Sequence, residues 1–218
     1  MMRALMLGVL FVLHGAAAAH GAEPCPRAAG GAEWSAQCFT GQGGERRVKP
    51  KYLGRLAWNE HGMATVLIAE PRELLAVDRT GRVVVPNIRH TGDFDFPQAA
   101  HGIGRFDVRQ AGTTKCGYFV AGRFTVLVPP QYDQCQAFRD DKAVACEDCV
   151  RYCTDQECHD SVLVGGTGIA FDTAGKVKRR YPLPTLEQAC PNGKASVENG
   201  GPVPVLRCAA NADSPFKL

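Results

Sequence analysis

The stretch Lys115-Cys116-Gly117-Tyr118-Phe119-Val120-Ala121-Gly122-Arg123-Phe124-Thr125-Val126-Leu127-Val128-Pro129-Pro130-Gln131-Tyr132-Asp133 decides the fold class. Two short apolar runs, rich in aromatic and β-branched residues, flank Ala121-Gly122-Arg123, where glycine lets the backbone reverse at little steric cost. That pattern predicts two antiparallel strands joined by a tight turn at Gly122. Outward from it the chain keeps the same form. Residues 63–68, 74–77 and 83–85 are candidate strands, and Ile103-Gly104-Arg105-Phe106-Asp107-Val108 alternates as a half-buried strand should. With 24 Gly and 14 Pro, long helices are disfavoured. The expectation is an all-β protein.

The turn recurs. Val77-Asp78-Arg79-Thr80-Gly81-Arg82-Val83 and Phe171-Asp172-Thr173-Ala174-Gly175-Lys176-Val177 echo Phe119 to Phe124. A second echo accompanies it: Tyr52 precedes Trp58 by six residues, and Tyr132 precedes Phe138 by six. An aromatic at a fixed offset suits one core position used in successive units, so Trp58 and Phe138 are expected at equivalent buried places. Tyr52, Phe106, Tyr118 and Tyr132 are expected in the core beside them.

Lys115-Cys116-Gly117-Tyr118-Phe119, then Gly122, Val128-Pro129-Pro130-Gln131-Tyr132-Asp133 and Phe138, resembles the bacterial WG repeat. The resemblance covers roughly residues 46–180, as one good copy and two or three degraded ones; the signature Trp position holds Cys116. It implies tandem antiparallel β-hairpin or meander units assigned to binding or scaffolding, with no shared catalytic residues. In that pattern Cys116 and Cys135 occupy core positions of one unit, where a bridge would replace the lost Trp packing.

The ends have a different character. Arg3, the apolar run 4–13 and the small residues from Ala16 to Ala22 follow the order of a signal peptide, with cleavage expected between Ala19 and Ala22. The run is too short to span a bilayer, and no later stretch is long enough to do so. The chain divides as 1–22 signal peptide, 23–45 N-terminal segment, 46–182 β domain and 183–218 Pro/Gly-rich tail. Without residues 1–22 there remain 24 basic and 22 acidic residues, no electrostatic footprint for a nucleic-acid binder. A periplasmic or secreted protein is expected.

Ten cysteines fit that compartment as disulfides. Cys25 with Cys38, and Cys190 with Cys208, are candidate staples of the two ends. Cys146, Cys149, Cys153 and Cys158, beside His159, could in principle form two bridges, a zinc site or a redox pair. Bridges are expected, with Cys146–Cys158 enclosing Cys149–Cys153, or alternatively Cys146–Cys153 with Cys149–Cys158.

No nucleophile elbow, zinc-protease helix or phosphate loop occurs in the chain. Gly165-Gly166-Thr167-Gly168 reads as a turn. Asp93 and Asp95 could share a strand face as an acid pair, but a solvated loop face is the expected place for them. His61, His90, His101 and His159 are scattered. Residues 133–160 carry eight acids against three bases, while Lys176-Val177-Lys178-Arg179-Arg180 is basic. The expected role is non-catalytic: a module that binds another envelope protein or peptide, with no cofactor and no metal. The rival is an envelope hydrolase or thiol-redox enzyme whose site assembles from distant loops.

Overall fold

The computed structural model describes Cys25 and residues 33–42, 45–90, 92, 94–191, 193–201 and 203–209. The segment 1–22 with its expected cleavage point, and Asp93, lie outside the described residues. In chain order the strands are β1 (Glu33–Trp34), β2 (Phe39–Thr40), β3 (Arg47–Val48), β4 (Ala64–Ile68), β5 (Glu73–Val77) and β6 (Val83–Val85). Next come β7 (Ile103–Gln110), β8 (Thr113–Val120), β9 (Thr125–Tyr132), β10 (Gln134–Cys135), β11 (Lys142–Glu147) and β12 (Val150–Cys153). The last are β13 (Ser161–Val164), β14 (Thr167–Asp172), β15 (Val177–Pro182), β16 (Ala195–Glu198) and β17 (Val205–Cys208). The protein is all-β and disulfide-stabilised.

Three antiparallel meanders form the body: β4-β5-β6, β7-β8-β9 and β11-β14-β15. β1 adds to the first in parallel, and β10 extends the third. β12 and β13 interrupt the third meander as an inserted hairpin, which joins β16-β17 through a parallel pairing of β12 with β17. The β7–β8 ladder runs without a slip from Ile103↔Val120 to Gln110↔Thr113. Ala111 and Gly112, at φ 47° and 86°, make its two-residue turn in the sense that twisted hairpins favour.

Period-two burial stacks the meanders. Leu75 and Val77 of β5 face a first core with Val48, Val66 and Ile68, while Ala76 between them faces a second. That second core holds Val85, Phe106, Phe119 and Phe124, so the first two meanders share it. Tyr118, on the opposite face of β8, enters a third core with Tyr132, Phe138, Ile169 and Phe171. A strand apolar on both faces is the signature of a sheet enclosed between two layers, and β5 and β8 both have it.

Gly81, Gly122 and Gly175 each lie between the second and third strand of a meander. The first and last turns share their backbone-to-aspartate bonds. Asp78 Oδ1 accepts from the Thr80 and Arg82 N–H groups at 2.9 and 3.1 Å; Asp172 Oδ1 accepts from Ala174 and Lys176 at 3.1 and 2.9 Å. Gly81 and Gly175 have φ 77° and 75°, and a Cβ on either would press on a leucine at 2.8 Å. The middle turn departs from this. Gly122 keeps negative φ, and Phe124 takes the left-handed position at φ 49°. Its ring stacks on Phe119 at 5.7 Å, a contact that offsets the strain of a bulky residue there.

The expected equivalence of Trp58 and Phe138 does not hold in burial. Phe138 is enclosed edge-on to Tyr118, whereas Trp58 is half-buried beneath the Arg79 guanidinium, 5.3 Å from its ring. Tyr52 differs from Tyr132 too. Pro50 starts a 3-10 helix, Pro50–Arg55, that carries Tyr52 half-buried against Trp34, while Tyr132 ends β9 in the third core. Proline suits a first helical position, and Pro50 occupies one here. Phe106, Tyr118 and Tyr132 are in the core as expected. Gly117 is buried because β9 crosses close above it: a Cβ there would meet the Val128 carbonyl oxygen at 2.5 Å.

Candidate functional site

Two concavities flank the central meander. The first, about 570 Å³, lies between the inserted β12–β13 hairpin, the β10–β11 region and the loop carrying Phe94 and Asp95. Its floor is built from arginines. Arg105 projects from β7 and donates from Nε and Nη2 to both oxygens of Asp95, at 2.8 and 2.9 Å. Arg89 does the same to Asp107, at 2.9 and 2.7 Å. The third nitrogen of each guanidinium donates to one shared acceptor, the Cys135 carbonyl oxygen, at 2.9 Å from Arg105 and 3.3 Å from Arg89. Burial works against the charge of Arg89, but the hydrogen bonds and charge of Asp107 outweigh it and hold its pKa above the ordinary value.

Asp95 is only 6% exposed, so the expectation of a solvated loop acid is corrected: the Arg105 fork neutralises it and makes its burial tolerable. Beneath the floor the Tyr118 hydroxyl donates to the Gln136 carbonyl at 2.9 Å and lies 3.3 Å from that of Val144. Burial pushes its pKa up, although the Arg105 and Arg89 charges oppose this. Both carboxylates of the floor are committed to bidentate pairs, a poor state for a general base.

The second concavity is a wider groove of about 1030 Å³ between the first two meanders. Val84, Pro86, Val108 and Val126 give it an apolar floor, and Arg72, Arg82 and Arg109 stand on its rim. Val126 is 41% exposed.

The cysteines pair as Cys25–Cys38, Cys116–Cys135, Cys146–Cys149, Cys153–Cys158 and Cys190–Cys208, with Cα separations between 4.8 and 6.0 Å. The two end staples and Cys116–Cys135 match expectation. The nested and crossed pairings expected for the central four are both wrong. Residues 150–153 are strand β12, and four extended residues hold Cys149 about 13 Å from Cys153. Each cysteine therefore closes a local loop at its own end of the hairpin. Among the described residues no group of three or more His, Cys, Asp or Glu side chains could hold a metal. His101 lies 3.1 Å from Asp141, and His159 lies 3.4 Å from Glu157, on separate exposed loops.

Sequence reading missed the arginine floor entirely. Arg89 and Asp107 are 18 residues apart and Arg105 and Asp95 ten, so no local spacing marks them. The alternation of β7, which puts Arg105 and Asp107 on one face, was the available signal. The chain matches no family model and no curated protein. Five disulfides suit an oxidising compartment, periplasmic or extracellular, and no described helix is long and apolar enough to cross a membrane.

Proposed function

We propose that this is an exported protein of WG-repeat type, acting as a non-catalytic binding or scaffolding module for another protein or peptide of the cell envelope. The groove between the first two meanders carries the reading. Its apolar floor and arginine rim suit an extended apolar segment flanked by acidic residues, held by side-chain burial and rim charges. The matching turns at Gly81 and Gly175 support descent of the meanders from one unit. The disulfide between Cys116 and Cys135 then occupies the place of the signature tryptophan.

The test is site-specific photo-crosslinking in intact envelopes. A crosslinker replacing Val126 should yield a discrete protein adduct, and one replacing Val177, equally exposed on β15, should not. Adducts equally from both positions, or from neither, would remove the groove from consideration.

A further inference from the structure

The arginine-floored cavity contains a third guanidinium, and its situation differs from the other two. Arg151 projects from β12 into the same space as Arg89 and Arg105. Among the described residues its one hydrogen bond is a long contact, 3.7 Å from Nη2 to Cys158 Sγ, and disulfide sulfur is a weak acceptor. Among the described residues it has no ion pair within 4.0 Å. Burial, with the charges of Arg105 and Arg89, pushes its pKa below the ordinary arginine value. Among the described residues three guanidiniums lie together and carboxylates pair with two of them.

The donor inventory points the same way. A guanidinium has five N–H groups. The floor pairs engage three nitrogens on each of Arg89 and Arg105 with one bond apiece, which leaves two N–H groups on each uncommitted. Arg151 has four more beyond its sulfur contact. Lys142 and Arg139 add positive charge at the wall, against Asp160. Arg139 is itself held in place over the Phe94 ring, at 4.5 Å. Because Arg89 and Arg105 are clamped by Asp107, Asp95 and the Cys135 carbonyl, their remaining donors are fixed in direction before any ligand arrives, which reduces the ordering cost of binding.

We propose that this cavity is a binding site for a small hydrophilic organic anion, its oxyanion group received between Arg151 and the clamped pair Arg89 and Arg105. A carboxylate and a phosphate monoester share the required chemistry, oxygens that accept forked guanidinium bonds. The volume lies in the range of small-molecule sites, and the side-chain amide of Gln134 offers the rest of the ligand both a donor and an acceptor. The cavity and the groove share no lining residue, and Asp107, which holds Arg89 in the cavity, lines the groove.

The experiment is NMR titration of the oxidised protein with glucuronate and with glucose 6-phosphate, using glucose as the neutral control. Either anion should shift arginine Nε–H and nearby backbone signals around residues 89, 105 and 151 in a saturable manner, and glucose should not. Preference between the two anions identifies the head group. Arg151→Gln should weaken binding at least about tenfold, the scale of one charge-assisted contact, while Arg123→Gln on the exposed β8–β9 turn should leave it unchanged. Three results would overturn the proposal: no saturable shift with either anion up to about 10 mM, equal weakening by both variants, or shifts mapping away from the cavity. Wild-type shift mapping decides the matter even where Arg151→Gln does not fold.

Discussion

Arg89 and Arg105 donate to the same carbonyl oxygen, that of Cys135, while each grips a different aspartate. One backbone atom, anchored to β8 through the Cys116–Cys135 bridge, thus fixes two cations drawn from the end of the first meander and the start of the second. Removing either acid leaves a guanidinium in the cavity without its partner.

Asp95→Ala should therefore destabilise the protein by about 3–5 kcal/mol in denaturant unfolding, as expected when one member of a buried pair is deleted. Replacing both partners, Asp95→Leu with Arg105→Met, should recover much of that loss. A double variant no more stable than Asp95→Ala would show that the pair does not act as a unit.

The three turn glycines should respond unequally. Gly81→Ala and Gly175→Ala force a side chain into left-handed backbone and against a leucine, and each should cost about 1–3 kcal/mol. Gly122 has negative φ and open space above it, so Gly122→Ala should stay within about 0.5 kcal/mol. Chemical denaturation of the three variants measures the contrast.

Acid should loosen the first of these turns. Burial works against the charge of Asp78, but hydrogen bonds from the Thr80 hydroxyl and the Arg82 and Thr80 N–H groups outweigh it, and its pKa falls below the usual carboxylate value. A lowered folded-state pKa means stability that is present above the unfolded-state pKa and is lost as pH falls through the folded one. Wild type should lose stability over that acidic window more steeply than Asp78→Asn, compared by unfolding midpoints across pH.

Peptide mapping without reduction should recover Cys146 linked to Cys149 and Cys153 linked to Cys158. The joint substitution Cys116→Ser with Cys135→Ser should cost about 2–4 kcal/mol and should also slacken the arginine floor above it.

The strands were legible because they are short, β-branched and bounded by glycine. β4, β5, β6 and β7 fall within a residue or two of the runs at 63–68, 74–77, 83–85 and 103–108. What stayed hidden depends on contacts far apart in the chain. Trp58 has the right offset from Tyr52, yet a 3-10 turn at Pro50 and the cover of Arg79 leave it half outside the core. The cysteine pairing was hidden for a local reason: Val150 to Cys153 is an extended strand, which parts Cys149 from Cys153. The cavity was invisible for a further reason. Its parts come from three separate sheets and a loop, and only folding brings the arginines together.

The ladder between β11 and β14 ends at Glu147 opposite Thr167, so the chain leaves and rejoins the third meander at neighbouring points. Everything from 148 to 166 is in this sense an attachment to a sheet that closes without it. A two-residue Asn-Gly link from Glu147 to Thr167, with Cys146→Ser, would join the strands by an ordinary hairpin turn. The shortened chain would keep the aromatic core of Tyr118, Phe138 and Phe171 while losing Arg151 and the strand that β17 pairs with. Ligand chemistry is thus divided between segments: the meanders, with Arg105, can be inherited unchanged while the attachment that brings Arg151 is exchanged, and with it part of what the cavity accepts.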